Sequence, residues 1–328
     1  MQNFRTEIKP KNCELRISHQ DKILLIGSCF AENIGEKLLQ TKFDASINPY
    51  GILFNPLSIC QCLYHIINQR VFSEEDLCFD GEEWYSFQHH SIFNHSNQQQ
   101  CLSHINQVGK AAFERLCSTD LLILTLGSAF AYRHIASNCI VANCHKVPAK
   151  QFERILLSVE DISAHLTDVI KRIRQINPHI RILLTISPIR YVKYDMEENA
   201  LSKAHLLTAT HQLISRLENV FYFPSFEIMM DDLRDYRFYQ ADMIHPSEVA
   251  IDYMWEKFST CYFDNNSLAL NKEIAEISAA RQHKIKHTAS EETKKFAKTQ
   301  LNKINSIKKR YPFIDYHEEE TYFLNLIQ

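Results

Sequence analysis

Ile23-Leu24-Leu25-Ile26-Gly27-Ser28-Cys29-Phe30-Ala31-Glu32 is the stretch around which the rest of the chain is organised. Four consecutive apolar residues, then Gly27-Ser28-Cys29, then Phe30, Ile34 and Leu38 at four-residue spacing predict a buried strand, a tight turn and an amphipathic helix over about 31–40. A helix start presents N–H groups without intrahelical partners and the positive end of the helix dipole. A hydroxyl or thiol in that turn can attack a carbonyl, and the same N–H groups can hold the oxyanion that forms. Ser28 is equally suited to capping the helix, and Cys29 to packing as a small buried residue.

Working outward, the same strand-then-turn pattern recurs. Asp120 to Leu126 runs into Gly127-Ser128-Ala129, Arg181 to Ile186 runs into Ser187-Pro188, and Asn219 to Pro224 gives a fourth apolar run. Helical patterns over 56–69, 97–117, 150–177 and 199–216 fall between or around these strands. Strands alternating with helices predict an open, mostly parallel sheet, which places its site outside the carboxyl ends of the strands. Two hairpins are expected, one turning at Asp80-Gly81 and one carrying Cys139 to Ala142.

The chemistry-bearing residues cluster in the predicted turns. Ile47 to Pro56 is a loop by composition and contains Gly51. His90 follows His89 at the exit of the first hairpin, where it suits a pocket rim or plain surface. Asn143-Cys144-His145-Lys146 is a run of polar or reactive groups that suits a loop facing the site, with His145 as its substrate-binding candidate. Arg190, just after the third strand, could clamp a carboxylate or phosphate of substrate. Asp242 and His245, three apart in one loop, have the spacing of a base and its orienting carboxylate. Pro246 is expected to open the last core helix.

With 328 residues, 45 % apolar and 23 % charged, the composition is that of an ordinary globular protein. A formal charge of -3 gives no global attraction to nucleic acid or anionic membrane. The polar amino-terminal stretch has no apolar secretory core and no run reaches the roughly 18 apolar residues of a membrane span, so a cytoplasmic location is expected. The cysteines are scattered without a CxxC pair, which supports neither a disulfide framework nor a zinc site, and no metal or other cofactor is expected.

GSCFA at 27–31, NPYG at 48–51, NCHKVP at 143–148, SPIR at 187–190 and DMIHPS at 242–247 together resemble the GSCFA-domain family of the SGNH/GDSL hydrolase superfamily. The resemblance covers nearly the whole chain. By composition, residues 265–328 are expected to form a helical extension docked on the core, with helices over 271–287 and 291–309, whereas the resemblance implies an α/β protein, a three-layer α/β/α sandwich with a mostly parallel central sheet, over residues 1–264. It implies a hydrolase or acyltransferase acting on an ester, with a carbohydrate O-acyl ester as one substrate class by analogy. Asp242 and His245 would complete a triad with Cys29 or Ser28, and Gly51 would donate its N–H to the oxyanion. The superfamily's Gly-x-Asn asparagine is absent, because Ala129 occupies its position, so Ser128 or Asn143 would have to substitute. Aligned on Gly27, the superfamily serine falls on Cys29, whose thiol is expected to have a lowered pKa at a helix start beside a histidine. The contrasting expectation is a catalytically idle domain of the same fold that binds a glycan or another small ligand.

Overall fold

A computed structural model of the chain describes residues 5–11, 14–192, 195–283 and 290–327. In chain order the elements begin with β1 (Lys22–Gly27), α1 (Cys29–Gln40), β2 (Asp44–Ile47), α2 (Pro56–Ile67), the hairpin β3 (Cys78–Phe79) and β4 (Trp84–Tyr85), and α3 (Gln98–Cys117). Then come β5 (Leu121–Leu126), β6 (Phe130–His134), β7 (Cys139–Val141), β8 (Phe152–Leu156), α4 (Val159–Ile176), β9 (Arg181–Ile186), α5 (Met196–Arg216) and β10 (Val220–Phe223). A single turn α6 (Ser225–Glu227) precedes α7 (Glu248–Tyr262), α8 (Asn265–Gln282), α9 (Glu291–Arg310) and α10 (His317–Asn325).

The central sheet has the order β10-β9-β5-β1-β2, and all four pairings are parallel. Successive side chains of a strand point to opposite faces, and the core divides accordingly. Leu24, Ile26, Leu122, Leu124, Ile182, Leu184 and Ile186 pack beneath α2 to α5, whereas Ile23, Leu25, Leu121, Ile123 and Leu183 pack beneath α1 and α7. Both faces of the sheet are covered, which is why its strands read as near-continuous apolar runs. All five strands run the same way, so the turns that follow β1, β2, β5 and β9 meet along one edge of the sheet.

Two sequence expectations are corrected, and one strand is added to those expected. The helix expected over 150–177 begins only at Val159, because Phe152–Leu156 is the strand β8, paired antiparallel with β6 from Phe130↔Leu156 to His134↔Phe152. Pairing with a distant strand overrides the local helical pattern there, and Ser158 then starts α4 by accepting a hydrogen bond from the Asp161 N–H at 3.0 Å. The edge strand β2 has no counterpart in the sequence reading, since four half-buried or exposed residues carry little periodicity. Pro246 stands immediately before the cap of α7, and the cap itself is Ser247.

The helical extension starts at Asn265, capped by Asp264, and its first helix ends at Gln282; residues 284–287 of the expected helix lie outside the described residues. Leu270, Ile274, Ile277, Ile304, Ile307 and Phe323 bury one another in a cluster of their own. Lys42 Nζ reaches Glu319 at 2.8 Å and the His19 backbone N–H donates to Ser267 Oγ at 3.2 Å, tying these helices to the α/β layers. Among the described residues no helix is long and apolar enough to cross a membrane.

Candidate active site

Gly27 is where the chain leaves the sheet. Its φ is +149°, and a Cβ on it would lie 2.2 Å from the Thr125 carbonyl oxygen, so only glycine fits between β1 and β5. Ser28 follows as the helix cap: its N–H donates to the Thr125 carbonyl at 3.2 Å, and its Oγ accepts from the Phe30 N–H at 3.4 Å. It is 1 % exposed. Cys29, the first residue of α1, is half-buried. Burial pushes its thiol pKa up and the nearby Glu32 carboxylate adds to the rise, which corrects the expectation of a lowered value.

The loop after β2 is tied to this turn by Asn48. Its Oδ1 accepts from the Gly27 N–H at 2.8 Å, and the Leu53 N–H donates to the Gly27 carbonyl at 2.9 Å. The Gly51 N–H donates to the Asn48 carbonyl at 2.7 Å, so it closes a turn within the loop. Gly51 has φ +77°, and a Cβ there would meet His90 Cβ at 2.2 Å, which seats His90 directly against the loop. The Phe54 carbonyl accepts from both the Gly127 and Ser128 N–H groups, at 2.8 and 3.0 Å. The Ser128 hydroxyl accepts from the Phe130 N–H at 3.0 Å and lies 3.3 Å from Ser202 Oγ. Ser202 Oγ also accepts from the Ala129 N–H at 2.8 Å. Gly51 and Ser128 therefore already have partners inside the fold for the groups that would face an oxyanion.

The Asp242–His245 pair forms a compact unit. Asp242 Oδ2 lies 2.6 Å from His245 Nδ1, and Asp242 Oδ1 accepts from the Ile244 and His245 N–H groups at 2.8 and 3.0 Å. The histidine and these N–H groups hold the Asp242 carboxyl at about 2, so it is ionised at neutral pH. An ionised acceptor on Nδ1 fixes the proton there and leaves Nε2 as the basic nitrogen. The Arg190 N–H donates to the Ile244 carbonyl at 3.3 Å, which fastens this loop to the turn after β9, on the same edge of the sheet as Gly27. Among the described residues, no hydrogen bond or ring contact joins His245 to Ser28 or Cys29.

The remaining expected residues fall in two cavities. His90, Ser128, Asn143 and His145 line one of about 340 Å³, beside the Phe54 loop. Arg190 lines another of about 300 Å³, with its guanidinium over the rings of Tyr239 and Tyr236 at 4.7 and 5.4 Å. Among the described residues no group of three His, Cys, Asp or Glu is placed to hold a metal ion.

Two residues escape the sequence reading. Asn48 is legible there only as half of an Asn-Pro turn. Lys203 is 2 % exposed, and its ammonium donates to the Gly127 and Ser187 carbonyls, each at 2.7 Å. Its signal is positional: Asn199, Ser202, Lys203 and Leu206 occupy one stripe of α5 at helical spacing, and that stripe faces the core.

Behind the Asn48–Phe54 loop lies a buried aromatic group. Tyr50 packs on His89 with ring centres 4.3 Å apart, and Phe72 packs edge-on against both His89 and His65. Burial pushes His89 down to about 3 and His65 down to about 4. Between the ordinary histidine value and these, the unfolded chain binds protons that the folded chain does not, so stability falls as pH falls through this window. We expect a loss on the order of a few kcal/mol between about pH 6.5 and 4 from this pair. Chemical denaturation across that range checks it, with His89→Leu flattening the slope.

Residues 22–258 match the family model described as GSCFA family, and residues 274–328 match the one described as GSCFA domain protein, C-terminal domain. Among solved structures the chain is similar to a family 3 carbohydrate esterase of Clostridium thermocellum, with 12 % identity, TM-score 0.35, and coverage of 78 % of this chain and 98 % of that one. It is similar to a family 3 carbohydrate esterase from Talaromyces cellulolyticus at 9 % identity and TM-score 0.37, covering 77 % and 99 %. It is also similar to an acetyl xylan esterase from the rumen bacterium Butyrivibrio proteoclasticus at 10 % identity and TM-score 0.37, covering 77 % and 65 %. At these identities and scores the likeness bears on neither substrate nor activity. No curated protein matches the sequence.

Proposed function

Because the chain belongs to the GSCFA family, we propose that it is an ester-cleaving enzyme of the acyl-transfer type, with Cys29 as nucleophile and His245 as base. The observation that carries this is the 2.6 Å contact of Asp242 Oδ2 with His245 Nδ1, which leaves Nε2 basic. Cys29 is preferred to Ser28 because Ser28 is buried and engaged as the helix cap.

The Cys29 sulfur attacks the ester carbonyl carbon as His245 Nε2 takes the thiol proton. The carbonyl π electrons move onto oxygen, and the Cys29 N–H and the positive end of the α1 dipole stabilise that charge. Collapse breaks the bond to the alcohol oxygen, which leaves with the proton from His245, and a thioester remains on Cys29. Water, or the hydroxyl of an acceptor, then attacks the thioester with His245 as base, and Cys29 leaves as the thiol. Since no hydrogen bond joins His245 to Cys29 among the described residues, the 242–247 loop has to close onto the substrate-bound turn. A carbohydrate O-acyl ester is the substrate class we propose.

One observation favours a ligand-binding domain instead: the Cys29 thiol is pushed up by burial and Glu32, with no histidine to draw it down. p-Nitrophenyl acetate separates the two. An enzyme gives a burst of p-nitrophenol followed by turnover, with turnover reduced on the order of 10²- to 10⁴-fold in His245→Ala. Absence of release from acetate, butyrate and octanoate esters would overturn the enzymatic assignment.

A further inference from the structure

The cavity of about 340 Å³ beside the Phe54 loop has a lining of one distinct chemical kind. Phe54, Phe130 and Phe152 supply apolar rings, Asn143, His90 and His145 supply polar groups, and among the described residues no Asp, Glu, Lys or Arg lines it. The polar groups are oriented by their own backbone partners. Asn143 Oδ1 accepts from the His145 N–H at 2.7 Å, which identifies its oxygen and leaves the amide NH2 as a donor. His145 Nε2 lies 2.9 Å from the Ser86 carbonyl, which can only accept. The proton is therefore on Nε2, and Nδ1 carries a lone pair that is buried and has no partner. His90 Nδ1 accepts from the Ile92 N–H at 3.4 Å, so its Nε2–H is a donor. These three side chains thus offer two donors and one acceptor without formal charge, among apolar rings.

We propose that this cavity binds an uncharged, hydroxyl-bearing ring, the alcohol side of the ester. A carboxylate or phosphate would be desolvated there without a cation, and an ammonium without an anion. Hydroxyls both donate and accept, so a ring that carries them satisfies Asn143, His90 and His145 together. The ring also brings C–H faces that bury against the phenylalanines. The placement as the alcohol side rests on the esterase assignment above; binding of the ring does not require Cys29.

The test is saturation-transfer NMR on the full-length protein with methyl β-D-xylopyranoside and methyl β-D-glucopyranoside, and with butyrate as the acyl-side probe. Transfer to ring C–H protons of at least one glycoside is expected, in wild type and equally in Cys29→Ala. Asn143→Asp keeps the oxygen that accepts from His145 but removes the donor, and is expected to weaken binding about tenfold or more. His90→Phe removes the second donor at similar ring volume and is the alternative where Asn143→Asp does not fold by circular dichroism. Absence of transfer to both glycosides overturns the proposal, as does binding unchanged in the folded variants, or saturation of butyrate alone. Asn143-dependent glycoside binding without any ester cleavage would uphold this site while the esterase assignment fell.

Discussion

Cys29→Ala is expected to lower ester turnover on the order of 10³-fold or more and to abolish the acyl-enzyme burst, whereas Ser28→Ala keeps turnover and loses stability. A missing nucleophile removes the covalent route altogether, and what survives is catalysis by binding and polar preorganisation. Ser28 instead holds the first turn of α1 through the Phe30 N–H, so its removal costs about 1 kcal/mol as a lost cap. The thiol itself has a further expected property. Burial and Glu32 push Cys29 up, so alkylation by iodoacetamide should titrate above the roughly 8.5 of an unperturbed thiol, and Glu32→Gln should bring it down. Base-assisted attack through His245 then replaces a standing thiolate. Loss of turnover in Ser28→Ala with turnover retained in Cys29→Ala would reverse the assignment.

Lys203→Met is expected to destabilise the protein, most at alkaline pH, and to impair turnover even in the folded fraction. The lysine sits between the turns that end β5 and β9 and donates to the Gly127 and Ser187 carbonyls at 2.7 Å each. Methionine fills much of the volume but leaves two buried carbonyls unpaired, at about 1–3 kcal/mol each. Relief of the buried ammonium's desolvation offsets part of that loss. The pH dependence tells the two apart. Burial pushes Lys203 down to about 7, so between that value and the ordinary lysine range the unfolded chain holds the extra proton. The ammonium's cost is present in full below about pH 7 and is relieved as pH rises. Wild-type stability should therefore gain a component between about pH 7 and 10 that Lys203→Met lacks, measured by denaturant midpoints across that range. An identical pH slope in the two proteins would show that the amine's titration is not coupled to folding.

Much of the fold is legible in the chain because its signals are local. Apolar runs bounded by Gly27-Ser28 and Gly127-Ser128 give the central strands, since both faces of a parallel sheet are buried and leave no polar alternation to blur the run. The Asp242–His245 pair is legible for the same reason: three residues in one loop suffice to bring the groups together. The tertiary structure alone decided the rest. β8 is a strand because β6 pairs with it, against its local helical pattern. The Cys29 thiol rises rather than falls because burial and Glu32 outweigh a helix start, a balance set by packing. Lys203 is hidden because its partners are carbonyls of Gly127 and Ser187, remote in sequence and carrying no side-chain signature. Backbone groups are the same at every position, so which of them a side chain will meet is written only in the folded arrangement.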